Sequence, residues 1–261
     1  MLVPGVASAR CIAAMHVLGS PRKLVRLAGR APAENPMRRA IDAAAGLMPS
    51  EVMTFNAVLN ADLNVVRAFA GDPVEAHAAA AGLAAGIYGL DLPGLADVVI
   101  SGSRPMDRDW RQGVKCFGGP LFAVRPGGVL VAAMRCLEGL GDYRPPFYRP
   151  LPRWLVRAAA RIPGMRGLLG LLARRGKGLD PENLHMVLYA LQMVRRCRVI
   201  VCAPSIGREA SALMPLFDFT QDMGEALAAA AAHVGRGKAR LTVFPYGAVS
   251  YPILPGEEEA Q

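Results

Sequence analysis

ADVVISGSRPMDRDWRQGVKCFG, residues Ala96–Gly118, decides the fold class. The run Val98-Val99-Ile100, bounded by Asp97 and Ser101-Gly102-Ser103, has the β-branched, uninterrupted character of a short strand buried on both faces, as in parallel sheets. The polar loop after it leads to Asp107, a good helix N-cap, and the spacing predicts a helix beyond. Gln112 and Lys115 are three residues apart and fall on one side of that helix. Helical side chains lean toward the helix N-terminus. In open α/β sheets ligands bind in the crevice beyond the strands' carboxyl ends. An amide and an ammonium there suit a carboxylate or a phosphate; a solvated helix face with one lysine is the plainer alternative.

Working outward, the same strand–helix alternation recurs. Upstream, Glu51–Ala70 reads as a β-hairpin whose polar turn is Asn60-Ala61-Asp62. Asp72 then caps an Ala-rich helix with Pro73 at its first position and Glu75 at its third, running to about Gly86. Downstream, strands are expected at Gly128–Met134, Arg198–Cys202 and Leu241–Phe244. Helices are expected from Pro181 to about Arg196 and from Glu225 to Val234. Residues 1–36 read as irregular with one short helix, about Ala7–Leu18. The expectation is an α/β fold, a layered sheet flanked by helices.

The charge is unevenly distributed. The chain of 261 residues carries 30 Lys and Arg against 21 Asp and Glu. From Arg144 to Lys177 there are nine basic residues and no acid, so the rest of the chain is neutral. A nucleic-acid-binding fold would spread basic residues over several elements, and none is expected here. Within this insert Arg149, Arg153, Arg157 and Arg161 recur every four residues. With Trp154, Leu155 and Ile162 they could form an interfacial helix on an anionic membrane surface or a helix with a solvated stripe. Cys11, Cys116, Cys136, Cys197 and Cys202 make no CxxC pair and no zinc spacing, which predicts reduced, mostly buried thiols in a cytoplasmic protein. No secretory leader pattern and no bilayer-length apolar run is read.

Five segments carry a resemblance when taken together: AENPMRRAIDAAAG, FNAVLNADLNVVRAFAGDPVEAH, ADVVISGSRPMDRDWRQGVK, RPGGVLVAAMRCLEGLGD and LTVFPYGAVSYP. In this order they resemble the C-terminal half of the nickel-pincer lactate racemase family (LarA type), from about Pro4 to Pro252. The resemblance implies an isomerase of 2-hydroxy acids acting by hydride transfer to a nickel-pincer nucleotide. Gln112, Lys115 and the neighbouring Arg111 would bind the substrate or cofactor, and His16 would complete the nickel coordination. No catalytic residue is expected in this chain, because the family's catalytic histidines lie in an N-terminal domain. Its cofactor-bearing lysine lies just upstream of the Pro4-Gly5 match. Residues 1–50 are thus expected to be a linker or hinge, and 51–256 the C-terminal-type domain with an insert at about 144–177. A separate N-terminal-half polypeptide is an implied partner. Arg111 stands where the family has an aromatic residue, and Leu184 where it has a tryptophan. The alternatives are a non-catalytic anion- or nucleotide-binding module and a membrane-surface interaction protein. His77 reads as a surface residue, and His233, near a helix C-terminus, suits the macrodipole.

Overall fold

The computed structural model describes residues 8, 11, 35–48, 51–145, 151–165, 168, 181–235 and 237–255. These fall into two compact units, within Met1–Gly89 and Leu90–Gln261. The expected helix at Ala7–Leu18 lies almost wholly outside the described residues.

In the first unit, α1 (Pro36–Gly46) is a helix that the sequence reading left unassigned. Its signal was present. Asn35 Oδ1 accepts from Met37 N at 3.0 Å, Pro36 occupies the first position, and Arg38 pairs with Asp42 one turn on. The expected hairpin is formed by β1 (Thr54–Leu59) and β2 (Val65–Gly71), antiparallel, with Thr54 opposite Gly71. Asn60 Oδ1 closes the turn, accepting from Asp62 N at 3.0 Å and Asn64 N at 2.9 Å. Asp72 Oδ1 then caps α2 (Pro73–Tyr88) through Val74 N and Glu75 N. Tyr88 donates its hydroxyl to the Leu59 carbonyl, tying the end of α2 to the hairpin.

The second unit is built on a five-stranded sheet whose described pairings are all parallel. Its strands are β4 (Ala96–Gly102), β5 (Val124–Ala133), β6 (Arg198–Cys202), β7 (Asp218–Thr220) and β8 (Leu241–Phe244). The order across the sheet is β7-β6-β5-β4-β8. Alternate residues serve opposite faces. Val99, Leu130, Ala132, Val199 and Val201 join one core, and Val98, Val129, Val131 and Ile200 the other. The second face is covered by α7 (Met223–Val234) through Ala226 and Ala230. The first is covered by α5 (Pro181–Arg196) and by the turns after β4. Burying each such Val or Leu contributes roughly 1.5–3 kcal/mol, which explains why these strands read as continuous apolar runs.

β5 begins four residues earlier than expected, at Val124, and Gly128 lies inside it. A short helix, α6 (Arg208–Ala212), links β6 to β7. A separate pair joins β3 (Gly89–Asp91) to β9 (Tyr251–Ile253). Among the described residues no helix is long and apolar enough to cross a membrane.

The basic segment keeps only part of the expected solvated stripe: Arg153 and Arg161 are exposed, and Arg157 is half-buried. Its described helix, α4 (Arg153–Arg161), packs Ala160 into the core, and Arg153 and Arg157 reach Asp218 on β7. Trp154, Leu155 and Ile162 are exposed as well. A carboxylate at the sheet edge draws the guanidinium side inward and turns the bulky apolar side out.

Candidate functional site

The strand order reverses at β4. The chain leaves β4 toward β5, β6 and β7, then returns to place β8 on the other side. Connections at such a reversal diverge and leave a crevice. Two glycines set how closely the strand ends approach. A Cβ on Gly102 would run into the Pro245 carbonyl, and one on Gly247 into Ser101 Oγ.

After β4 the chain makes a polar loop and then α3 (Trp110–Gly113), which continues as a 3-10 turn over Val114–Phe117. The cap is Asp109, whose Oδ1 accepts from Gln112 N at 2.8 Å, so the expected Asp107 cap is corrected by two residues. Asp107 instead accepts from Leu137 N through its carbonyl and lies 3.8 Å from Arg135. The spacing of the turn sorts its side chains. Trp110, Gly113, Cys116 and Phe117 are buried, whereas Arg111 and Lys115 are exposed and Gln112 half-buried. Ser101 Oγ donates to the Cys116 carbonyl at 2.7 Å and pins the turn to the end of β4.

Lys115 Nζ donates to Gln112 Oε1 at 2.6 Å. The ammonium has three donors and the amide two, so the pair retains donors for an incoming anion. The Gly-rich loop after β5 runs beside this turn. Trp110 N donates to the Gly139 carbonyl at 2.9 Å and Glu138 N to the Arg108 carbonyl at 2.8 Å. Gly139 and Gly141 take φ of +62° and +61°, a conformation that suits glycine. The loop's carboxylates are engaged by arginines: Glu138 with Arg108 Nε at 2.9 Å and Asp142 with Arg111 Nη1 at 2.7 Å. The structure thus brings Arg111, Gln112 and Lys115 onto one turn.

The cysteines are unpaired. Burial pushes the Cys136 and Cys197 thiols up to about 12 and raises those of Cys116 and Cys202. Burial thus favours the neutral thiol over the thiolate at these four cysteines. Among the described residues no group of three His, Cys, Asp or Glu side chains could hold a metal ion. His16, the one protein ligand that the resemblance implies for the nickel-bearing cofactor, lies outside the described residues. His77 is half-buried rather than exposed. Burial lowers its imidazole pKa, Arg38 lowers it further, and Asp42 opposes them. His233 is exposed, with Nε2 3.1 Å from the Gly127 carbonyl. The side chain of His185 is outside the described set.

An aromatic cluster lies beneath the turn, beyond the residues expected from the sequence. The Trp110 ring packs against Phe117, Tyr143, Phe217 and Phe219 with centroids 5.6–6.4 Å apart. Those rings are dispersed along the chain, so no local pattern announces them.

No family model matches the chain. Over 150 residues, 57% of this chain, it is 30% identical to a lactate racemase of Thermoanaerobacterium thermosaccharolyticum, of which 34% is covered. The structure of the lactate racemase apoprotein from that organism matches 96% of this chain and 57% of its own, with a TM-score of 0.69 and 21% identity. A crystal structure of a Thermotoga maritima protein matches 93% of this chain and 59% of its own, with a TM-score of 0.56 and 13% identity. The chain is thus similar in sequence to a lactate racemase and shares the fold of the apoprotein, spanning 34% of the curated protein and 57% of the solved one.

Proposed function

We propose that this chain binds the carboxylate of a small 2-hydroxy acid through Lys115 and Gln112, as the anion-holding part of a lactate-racemase-like isomerase. The observation that carries the reading is the Lys115–Gln112 pair, oriented by the Asp109 cap on the turn after β4. A charge-assisted hydrogen bond from the ammonium would hold one carboxylate oxygen, and the amide would orient the other. The reaction class comes from the similarity to lactate racemase. Among the described residues beside this turn, Glu138 and Asp142 are both held by arginines, so neither is a free general base. The chain by itself is therefore expected to bind without turnover, with a complementary N-terminal-half polypeptide completing the site.

Titration calorimetry with lactate is the test. Lys115→Ala should weaken binding about tenfold, since such a bond contributes about 1.5–3 kcal/mol. Equal affinity in the two proteins would remove Lys115 from the site. A second reading, a non-catalytic anion-binding module, is favoured by the same engaged carboxylates. Polarimetry of lactate separates the two: racemisation only when the complementary polypeptide and its cofactor are added supports the first, and binding with no turnover under any supplementation supports the second.

A further inference from the structure

At the opposite, amino-terminal edge of the same sheet lies a pocket of about 380 Å³, within the usual range for small-molecule sites. Its lining includes Arg157, Arg161, Arg195, Arg196 and Arg198, with Asp218 as its one carboxylate. We propose that this arginine pocket binds a phosphate-bearing anion.

The guanidiniums are positioned by bonds that leave most of their charge uncancelled. Arg196 donates to the carbonyls of Leu121, Val124 and Phe122. Arg195 donates to the carbonyls of Ala160 at 2.7 Å and Ile162 at 2.9 Å. A neutral carbonyl orients a guanidinium without neutralising it. Arg157 and Arg198 share the single carboxylate of Asp218 at 2.8 and 2.9 Å, and Arg153 approaches it at 3.6 Å. Among the described residues, Arg157 Nε is buried with no hydrogen-bond partner. Arg161 is exposed at the rim. His233 is also in the lining.

Four anchored guanidiniums and Arg161 at the rim, against one carboxylate, favour a ligand with several negative charges. Guanidinium forks match phosphate oxygens in a bidentate manner. Because carbonyls already hold Arg195 and Arg196 in place, little side-chain entropy remains to be lost on binding. Two sources share this chemistry: a free phosphate compound, and a phospholipid headgroup. The second has a structural complement in Trp154, 73% exposed, and Leu155, 48% exposed, on the helix that carries Arg157 and Arg161.

The test uses the full 261-residue chain and two probes, inorganic pyrophosphate by calorimetry and phosphatidylglycerol vesicles by co-sedimentation. Arg161→Glu is the diagnostic variant, since Arg161 makes no bond that holds the fold among the described residues. Arg161→Gln replaces it should the charge reversal fail to fold, and thermal unfolding verifies each variant. Saturable pyrophosphate binding is expected, weakened about tenfold or more in the variant and falling steeply with salt. Vesicle binding without pyrophosphate binding, lost in the Arg161 variant, would assign the site to a phospholipid headgroup. Trp154→Ser should then reduce it as well. Neither probe binding, or equal binding by wild type and a folded Arg161 variant, would overturn the proposal.

Discussion

Arg157 and Asp218 stand 61 positions apart in the chain and meet through an Nη2–Oδ1 hydrogen bond of 2.8 Å. Arg198 holds the other oxygen at 2.9 Å. Burial alone would raise the Asp218 carboxyl, but the hydrogen bonds and charges of Arg157 and Arg198 outweigh it and hold its pKa below the ordinary value. Asp218→Asn leaves these guanidiniums facing one another and should cost about 1–3 kcal/mol. The pH sign follows from the depressed pKa. The contribution is present above the unfolded carboxylate value, about 3.9, and is lost as pH falls through the lower folded value. Urea unfolding of both proteins between pH 3 and 7 checks this; curves that stay parallel throughout would remove Asp218 from the acid response.

His77 gives a second pH signature in the first unit. Its folded pKa is lowered, chiefly by burial and then by Arg38. The unfolded chain therefore binds the proton more readily, and stability should fall as pH drops below about 6.5. His77→Gln should flatten that slope while leaving stability near pH 8 little changed. An unaltered slope between pH 5 and 7 would show that His77 is not its source.

Gly102 and Gly247 make a steric prediction. The backbones following β4 and β8 are too close there for a side chain. Gly102→Ala should cost about 1–3 kcal/mol by overpacking, and the Ser101–Cys116 bond should loosen. Amide exchange at Phe117 and Gly118 would rise. A variant as stable as wild type, with unchanged exchange, would mean that the strand ends can part without penalty.

The central strands of the sheet were legible because they are buried on both faces, and Val98–Ile100 or Val199–Val201 admit little else, whereas the three half-buried residues of β7 carry no such signal. Caps were legible where one acidic residue precedes a proline, as at Asp72-Pro73. At Asp107-Arg108-Asp109 two equivalent caps stand two residues apart, and sequence alone does not decide between them. The stripe of Arg153 and Arg157 was visible, but its direction was not. That depends on Asp218, which meets it only through the tertiary fold. The juxtaposition of Gln112 and Lys115 could be read because three-residue spacing on one turn is local information. The five-arginine pocket draws on α4, α5 and β6 and had no local signature.

The Asp107–Asp109 ambiguity provides the last test. Asp109 Oδ1 accepts from Gln112 N, so it both caps α3 and fixes the residue that pairs with Lys115. Asp109→Ala should cost about 0.5–2 kcal/mol, the usual range for losing an N-cap. It should also weaken lactate binding a few-fold, because an unfixed Gln112 no longer positions the Lys115 ammonium. Among the described residues Asp107 caps no helix, and Arg135, which pairs with it at 3.8 Å, is exposed. Asp107→Ala should therefore cost less than about 1 kcal/mol and leave lactate affinity unchanged. Urea unfolding and lactate calorimetry on the two alanine variants distinguish the aspartates. Equal losses in both would mean that the loop as a whole, rather than the Asp109 cap, orients Gln112 and Lys115.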